Sequence, residues 1–298
     1  MSTEAKPFLK WAGGKGQLLS QLSEHLPQQV VNEPFTYIEP FVGGGAMLFY
    51  MLQRFSNIRK AVINDVNEEL ILAYRTVRDD VGRLITVLSA MEKRYLSMES
   101  QEARSQVFYD VREQYNRHEG DGVARVAQLI FLNRTCFNGL YRVNRKGLFN
   151  VPFGKYANPT ICNESLLRTD SELLRQANLE ICQGDYAQTI RRIEGPTFVY
   201  LDPPYRPLDA TSSFTAYAKG DFNDDDQRRL AAFCQQLSEA GCCWMESNAD
   251  CSAKNPADTF FEELYKDYRI ERVMASRAIN ANPSKRGKLT ELLIKNYE

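Results

Sequence analysis

The stretch Thr197-Phe198-Val199-Tyr200-Leu201-Asp202-Pro203-Pro204-Tyr205 decides the fold class of this chain. Its first five residues form an apolar, aromatic and β-branched run, which indicates a buried strand. The two prolines prevent the chain from continuing in a hydrogen-bonded ladder, so the strand ends at Asp202. Because open α/β sheets hold their ligands at the carboxyl ends of their strands, the stretch predicts an α/β fold with Asp202 at the binding edge.

The residues after this strand indicate chemistry on an amino nitrogen. The Asp202 carboxylate and the Pro203 carbonyl can together accept both hydrogens of a planar amino group. This draws the nitrogen lone pair out of conjugation and makes the nitrogen nucleophilic, while Tyr205 can stack on the base that carries the amine. The match is short, and an ordinary Asp-Pro turn with a surface tyrosine is the competing interpretation.

A second element lies upstream, where residues 37–49 read Tyr-Ile-Glu-Pro-Phe-Val-Gly-Gly-Gly-Ala-Met-Leu-Phe. A short strand, a glycine turn and an apolar helix follow in this order, and glycine lets the backbone approach a ligand closely. The next apolar run, residues 61–64, is followed by Asp65, an acid that suits the hydroxyls of a ribose. A dinucleotide-binding fold is the minor alternative, although the spacing of these glycines is not GxGxxG.

A long basic segment separates these two elements. Residues 123–163 contain no Asp or Glu, although the whole chain has a net charge of −1. Affinity for phosphate is therefore expected to be local. The basic residues are Arg125, Arg134, Arg142, Arg145, Lys146 and Lys155, and the aromatic residues between them are Phe137, Tyr141, Phe149, Phe153 and Tyr156. This interleaving predicts a surface that inserts into or stacks on bases, with a solvated charged face as the alternative.

Composition narrows the class of protein. The 298 residues are 43% apolar, enough for one main domain with an insertion. No run of about eighteen apolar residues is present, so no membrane span is expected. The amino terminus does not resemble a secretion signal, and we expect a cytoplasmic protein. Seven cysteines without a Cys-x-x-Cys pair and two isolated histidines predict no metal site.

Sequence patterns also predict the order of the secondary structure. Helices are expected over residues 15–26, 45–56, 67–90, 101–119, 123–134, 164–176 and 224–240. Strands are expected over residues 36–39, 61–64, 179–182, 197–201, 242–246, 269–275 and 289–296.

Together with residues 6–15 (Lys-Pro-Phe-Leu-Lys-Trp-Ala-Gly-Gly-Lys) and 133–156, these motifs make the chain resemble the Dam-like DNA adenine N6-methyltransferases, the α-group of the D12 class. The resemblance spans nearly the whole chain. It implies a Rossmann-like methyltransferase core dependent on S-adenosylmethionine, with a mostly helical inserted DNA-recognition domain that contains a β-hairpin. The catalytic domain would comprise residues 1–68 plus 164–298, and the target-recognition domain residues 69–163.

The resemblance also assigns residues. The catalytic residues would be Asp202, Pro203, Pro204 and Tyr205. The cofactor would contact Trp11, Gly13, Gly14, Lys15, Glu39, Phe41, Gly43, Asp65, Asp185 and Asp202. DNA would contact Lys10, Arg134, Phe137, Asn138, Leu140, Arg142, Pro152, Tyr156, Arg277 and Lys285, and residues 211–217, with Ser213, Phe214 and Tyr217, would order over the base.

For two of these assignments, the local sequence offers a different interpretation to compare with the one that the resemblance implies. Asp185 follows a short apolar run and can equally cap a loop. A phosphate-binding loop at Gly13-Gly14-Lys15 is excluded, because Leu9 and Gly16 stand where that motif needs Gly and Ser or Thr.

The implied function is methyl transfer to an adenine flipped out of double-stranded DNA, within GATC. The enzyme would act as a monomer, associate with the nucleoid through DNA, and have a restriction endonuclease as a partner only in the genetic sense. A methyltransferase acting on glutamine or RNA is one rival, but it would need no duplex-reading hairpin. A non-catalytic DNA-binding regulator is another, but it would not need to keep Trp11, Lys15, Asp65 and Asp202.

Overall fold

A seven-stranded sheet forms the centre of the protein. The structure is a computed structural model that describes residues 4–28, 32–206, 222–276 and 288–298. The strands are β1 (Phe35–Glu39), β2 (Ile58–Asp65), β3 (Leu179–Gln183), β4 (Thr197–Leu201), β5 (Cys243–Ala249), β6 (Arg269–Ser276) and β7 (Lys288–Lys295). Their order is β3-β2-β1-β4-β5-β7-β6, in which β7 runs antiparallel to both of its neighbours. The predicted α/β class and Rossmann-like sheet are confirmed.

Helices cover this sheet and extend beyond it. They are α1 (Leu19–Glu24), α2 (Ala46–Arg54), α3 (Glu68–Asp79), α4 (Val81–Leu96), α5 (Gln101–Asn116), α6 (Gly122–Thr135), α7 (Glu164–Gln176), α8 (Asp224–Glu239) and α9 (Phe260–Leu264). Two short 3₁₀ helices cover Phe137–Gly139 and Tyr186–Arg192. Within the described ranges, no helix has the length and hydropathy needed to cross a bilayer.

Strand β4 is buried on both faces, as its apolar sequence predicts. Phe198 and Tyr200 belong to one hydrophobic core, and Val199 and Leu201 belong to the core on the other side of the sheet. This alternation follows from the two-residue period of a strand. Asp202 therefore emerges at the end of a strand held firmly between two packed layers.

The helical segment shares its core with the sheet. Phe108, Phe131 and Phe153 from the segment belong to the same buried cluster as Tyr37 and Phe198 from the central strands. Helix α3 contacts β2 and β3 as well as α6 and α7. The two parts pack as one unit because a continuous apolar core joins them.

Two secondary-structure predictions need correction or refinement. The single helix predicted over 67–90 is wrong, since the chain forms α3 and α4 with a break at Asp80 (φ −139°, ψ 40°). The break lets α4 turn from the sheet and pack against α6, a change of partner that no local residue signals. The predicted hairpin is present as two isolated antiparallel bridges, Cys136 with Phe153 and Val143 with Phe149.

Candidate active site

Four acidic side chains gather where neighbouring strands end. Glu39 and Asp65 are the last residues of β1 and β2, Asp202 follows β4, and Asp185 follows β3 after Gly184. The four strands are adjacent and parallel, so their carboxyl ends share one edge of the sheet. The binding edge predicted from Asp202 thus includes three other acids.

The Lys15 ammonium lies beside Asp202 at this edge. Lys15 is 4% exposed, and its Nζ lies 3.1 Å from Asp202 Oδ1 and 3.2 Å from Glu291 Oε2. It donates a hydrogen bond to the Tyr205 hydroxyl and lies 4.2 Å from the centre of the Tyr205 ring. The hydroxyl in turn donates to Glu291 Oε2 at 2.7 Å. One cation, two carboxylates and one aromatic face therefore form a single cluster.

The electrostatics of the cluster favour charged groups at neutral pH. Burial raises the pKa of Asp202 to about 6, Lys15 opposes this rise, and Glu291 adds to it. Burial lowers the pKa of Lys15, but the attraction of Asp202 and Glu291 outweighs burial and leaves that pKa raised. At pH 7 the Asp202 carboxylate is mostly ionised, so it can accept hydrogen bonds from an amino group.

The Asp-Pro-Pro-Tyr turn is held from behind by a buried polar network. Gln227 Nε2 donates to the Pro204 carbonyl at 3.2 Å, and its Oε1 accepts from Asn248 Nδ2 at 3.0 Å. Asn248 Nδ2 also contacts Glu246 Oε1 at 2.9 Å. Burial raises the pKa of Glu246 to about 7.

Sequence reasoning did not single out Gln227, Glu246, Asn248 or Glu291. For the residues of β5, the available signal was a run of polar residues inside an otherwise apolar strand. Such residues need hydrogen-bond partners when buried, and a paired polar group on a central strand is a recognisable site feature.

The glycine turn after β1 has a specific conformation. Gly43 and Gly45 have φ of +47° and +76°, the region that favours glycine. A Cβ on Gly45 would collide with the Tyr74 hydroxyl, which donates to the Gly43 carbonyl at 3.0 Å. A Cβ on Gly43 would lie 3.2 Å from the Trp11 ring, so Trp11 covers the turn.

Asp65 ties this turn to the end of β2. Its carboxylate accepts the Gly43 amide at 3.1 Å and the Asn67 amide at 2.9 Å, and burial raises its pKa to about 6. The next residue, Val66, leaves 58% of its surface exposed. An exposed apolar face beside a carboxylate suits a nucleoside, and Val66 is another residue that the sequence reasoning missed.

Three further predicted cofactor residues, Glu39, Phe41 and Asp185, lie in different environments. Glu39 is buried, accepts the Tyr37 hydroxyl at 2.7 Å, and has a pKa raised well above its usual value by burial. Phe41 packs 5.0 Å from Tyr186, measured between ring centres. Asp185 accepts the Ala187 amide at 2.9 Å and pairs with an Arg229 guanidinium nitrogen at 2.7 Å, so it adopts the loop-capping arrangement.

The amino-terminal segment links the glycine turn to the inserted segment. Trp11 stacks on Tyr141 with ring centres 5.0 Å apart, whereas Gly13 and Gly14 are exposed. The Lys10 amide donates to the buried Asn133 side chain at 2.8 Å, and the same side chain returns a hydrogen bond to the Lys10 carbonyl. These contacts hold the segment around Lys10 and Trp11 against the inserted segment.

Several predicted DNA contacts lie on the surface of the inserted segment. Phe137 is 52% exposed, and Asn138, Arg142 and Pro152 are exposed as well. Arg142 Nε donates to Asn150 Oδ1 at 2.8 Å, which fixes one edge of its guanidinium. Leu140 is half-buried.

Tyr156 and Lys10 lie close to these contacts. Tyr156 is half-buried, and its hydroxyl accepts the Asn138 amide at 3.2 Å. Lys10 Nζ lies 6.0 Å from the centre of the Tyr156 ring, so these two predicted DNA contacts adjoin the Phe137–Gly139 turn.

Other expectations for this segment need correction. Tyr141, Phe149 and Phe153 are buried in the core, so the prediction that they present faces to bases is wrong. Arg125 pairs with Glu69, which supplies a counter-charge from outside residues 123–163. Arg134 is half-buried and donates to the Phe8 carbonyl at 2.7 Å, and its DNA contact remains a prediction. The sequence pattern alone indicates neither which of these side chains are buried nor which residues distant in sequence they contact.

Some predictions concern residues that the structure does not describe. Arg277, Lys285 and the segment 211–217 lie outside the described residues. Among the residues that are described, no group of three His, Cys, Asp or Glu side chains is placed to hold a metal ion.

Comparison with known proteins supplies a separate finding. Residues 11–279 match the family model described as D12 class N6 adenine-specific DNA methyltransferase. The chain is 49% identical to the Type II methyltransferase M.MjaIII of Methanocaldococcus jannaschii, over 99% of this chain and 100% of the relative. It is 37% identical to the Type II methyltransferase M1.LlaDCHI of Lactococcus lactis subsp. cremoris, over 98% and 95%. It is 32% identical to the DNA adenine methylase of Escherichia coli K12, over 97% and 94%.

Proposed function

The chain belongs to the D12 class of N6 adenine-specific DNA methyltransferases, and we propose that it transfers a methyl group from S-adenosylmethionine to an adenine rotated out of duplex DNA. The observation that carries this proposal is the Lys15 ammonium between the Asp202 carboxylate and the Tyr205 ring. The amino group of adenine, like the Lys15 ammonium, donates hydrogen bonds from nitrogen, so it would donate to the same Asp202 carboxylate. The base attached to it would stack on the same aromatic face.

The chain contributes positioning and polarisation to the reaction. Asp202 and the Pro203 carbonyl would accept the two amino hydrogens and orient the nitrogen lone pair. Because its pKa lies near 6, Asp202 is also suited to receive the proton that the amine loses. When bound, S-adenosylmethionine supplies an electrophilic methyl group on a sulfonium.

The glycine turn and its neighbours fit this cofactor. Positive φ at Gly43 and Gly45, together with the close approach of Trp11 and Tyr74, favours glycine at both positions, and a glycine turn after a strand is a common feature of nucleotide-binding edges. Asp65 would bind the ribose hydroxyls, and the exposed Val66 would lie against the adenine ring. Trp11 and Lys15 border the same edge, which supports their predicted roles.

The depth of the site supports rotation of the target base out of the duplex. The Asp202 side chain is 20% exposed, and a base stacked inside a duplex cannot reach it. Extrusion costs a few kcal/mol of unpairing and unstacking. The exposed Phe137 ring on the inserted segment is suited to fill the gap that the base leaves.

We place target recognition on residues 69–163, with the remainder of the chain as the catalytic part. Arg142 would read a guanine in a GATC site with its guanidinium, and Leu140 and Pro152 would contact a thymine methyl. Support comes from the exposure of Arg142 and Pro152 and from the hydrogen bond between the Arg142 guanidinium and the Asn150 side chain. Helix α3 contacts both parts and would form their boundary.

A biological role can be proposed from the relatives. Two of them are named type II methyltransferases, which fits a role beside a restriction endonuclease in the genetic sense. Others are named DNA adenine methylase. Action as a monomer on DNA is part of the same proposal.

Methyl transfer tests the proposal directly. Purified protein is incubated with tritiated S-adenosylmethionine and unmethylated duplexes that contain or lack GATC, followed by mass spectrometry of the nucleosides. We expect N6-methyladenine in the GATC duplex. The same product in another sequence context would overturn the GATC proposal but keep the chemistry, whereas no N6-methyladenine in any duplex would overturn both.

A further inference from the structure

Glu291 reaches the candidate active site from the far end of the chain. It lies on β7, which is inserted between β5 and β6, with Glu291 opposite Ala249 and Val273. Its Oε2 lies 3.2 Å from Lys15 Nζ and accepts the Tyr205 hydroxyl at 2.7 Å. Glu291 therefore contacts both groups that surround the Asp202 carboxylate.

Two hydrogen-bond donors approach the Asp202 carboxylate when the target amine arrives. Its Oδ1 already accepts from Lys15, and the proposed reaction requires the same carboxylate to accept from adenine. The Lys15 ammonium is also a donor and lies against the ring on which the base would stack. A carboxylate can accept several hydrogen bonds, but a base stacked on Tyr205 would meet the ammonium beside that ring, so Lys15 has to move aside as the amine reaches Asp202.

A buried ammonium does not leave its partner readily. Removing the partner of a buried charge is strongly unfavourable, because an uncompensated charge remains in a poorly solvated site. Lys15 is 4% exposed, so water would compensate its charge poorly in place of Asp202. Glu291 solves this problem, since it offers a second carboxylate within 3.2 Å of the same nitrogen.

On the basis of the proposed function, we propose that Glu291 is a positioning residue for methyl transfer. It takes over the Lys15 ammonium, so that Asp202 is open to the target amine, and it holds the Tyr205 phenol so that the ring keeps its stacking orientation. Glu291 touches neither the amine nor the methyl group and acts through Lys15 and Tyr205.

The chain contains a closely matched control for this role. Glu271 on β6 is 22% exposed and pairs with Lys295 Nζ at 3.1 Å, and the Lys295 side chain is 5% exposed. Glu271 also pairs with His25 and Arg269, so its replacement removes at least as many contacts as that of Glu291. Glu291 is 20% exposed and pairs with Lys15, whose side chain is also 5% exposed. The Glu271 pair lies outside the cluster formed by Lys15, Asp202, Tyr205 and Glu291. Substitution of Glu271 therefore reproduces the loss of a half-buried ion pair without disturbing the site.

The test compares Glu291→Gln with Glu271→Gln in the full chain on unmethylated bacteriophage DNA. We expect Glu291→Gln to lower kcat about 10- to 100-fold while KM for DNA and for S-adenosylmethionine changes little, because misplacement of reacting groups affects turnover. Glu271→Gln should keep wild-type turnover. Equal turnover of the two variants, or a rise in KM with unchanged kcat, would overturn the inference.

Two further variants separate positioning from a general structural effect. Glu291→Asp keeps the charge and should recover part of the lost turnover, also where Glu291→Gln folds poorly. In a Lys15→Met background, Glu291→Gln should lower kcat much less than in the wild type, because the ammonium through which Glu291 acts is absent. A full effect in that background would contradict the inference, and absence of N6-methyladenine with wild-type protein would overturn both this inference and the proposed function.

Discussion

The Lys15 ammonium lies 3.1 Å from the Asp202 carboxylate at the point where strand β4 ends. The two residues lie far apart in the sequence, and the low exposure of their side chains, 5% for Lys15 and 20% for Asp202, makes each charge depend on a nearby opposite charge. The pair keeps Asp202 ionised near neutral pH in a site whose burial would otherwise favour the protonated acid. This relationship sets the expectations for mutation and pH.

Replacement of Asp202 should separate catalysis from DNA binding. We expect Asp202→Ala to lower kcat by at least about 10²- to 10³-fold, because a preorganised acceptor for the target amine is lost. Glu291 remains beside Lys15, so the fold should persist. Transfer assays and filter binding on the same duplex measure the two effects, and unaltered turnover would contradict the assignment of Asp202.

The pH dependence of kcat/KM for DNA should have an acidic limb near pH 6, because kcat/KM reports the pKa values of the enzyme before DNA binds. The pKa of Asp202 is raised to about 6, so the carboxylate gains a proton, and loses its capacity to accept from the amine, as pH falls through that value. Between its ordinary pKa of 3.8 and about 6, this group binds more protons in the folded protein than in the unfolded chain. Its contribution to the free energy of unfolding therefore decreases as pH rises through that window.

Asp65 provides the control for this limb, since burial also raises its pKa to about 6. With saturating cofactor, Asp65→Asn should keep the acidic limb of kcat/KM for DNA if Asp202 is responsible. Disappearance of the limb in that variant would assign it to Asp65 instead.

Arg142 should affect sequence preference more than overall affinity. Loss of a bidentate contact to guanine costs about 1–3 kcal/mol of discrimination, so Arg142→Ala should narrow the difference between cognate and altered duplexes. The exposed Arg145 on the same segment offers a control whose loss should weaken binding to all duplexes alike. Competition binding at fixed salt checks both, and a uniform loss for Arg142→Ala would contradict its recognition role.

Aromatic residues of the inserted segment should fall into two groups. Phe149 is 2% exposed, and Phe149→Ala should lower the free energy of unfolding by about 3–5 kcal/mol. Phe137 is 52% exposed, so Phe137→Ala should change stability little and instead reduce methylation of duplex DNA. Urea unfolding and transfer assays distinguish the two, and similar destabilisation by both changes would be the contrary result.

The sequence by itself determined the elements whose signals are local. Strand β4 and its end at Asp202 follow from an apolar run and two prolines, and the turn at Gly43 follows from residues that tolerate positive φ. The carboxyl ends of adjacent parallel strands then share one edge, so the location of the site also follows. Motif resemblance supplied the family, which the comparisons confirm.

Tertiary structure decided which side chains meet. Glu291 reaches Lys15 because β7 runs antiparallel between β5 and β6, and Gln227 reaches the Pro204 carbonyl from a separate helix. The burial of Phe149 and the helix break at Asp80 likewise depend on packing partners distant in sequence. Local patterns record the conformational preferences of neighbouring residues, whereas these contacts arise from long-range packing, which only the folded chain determines.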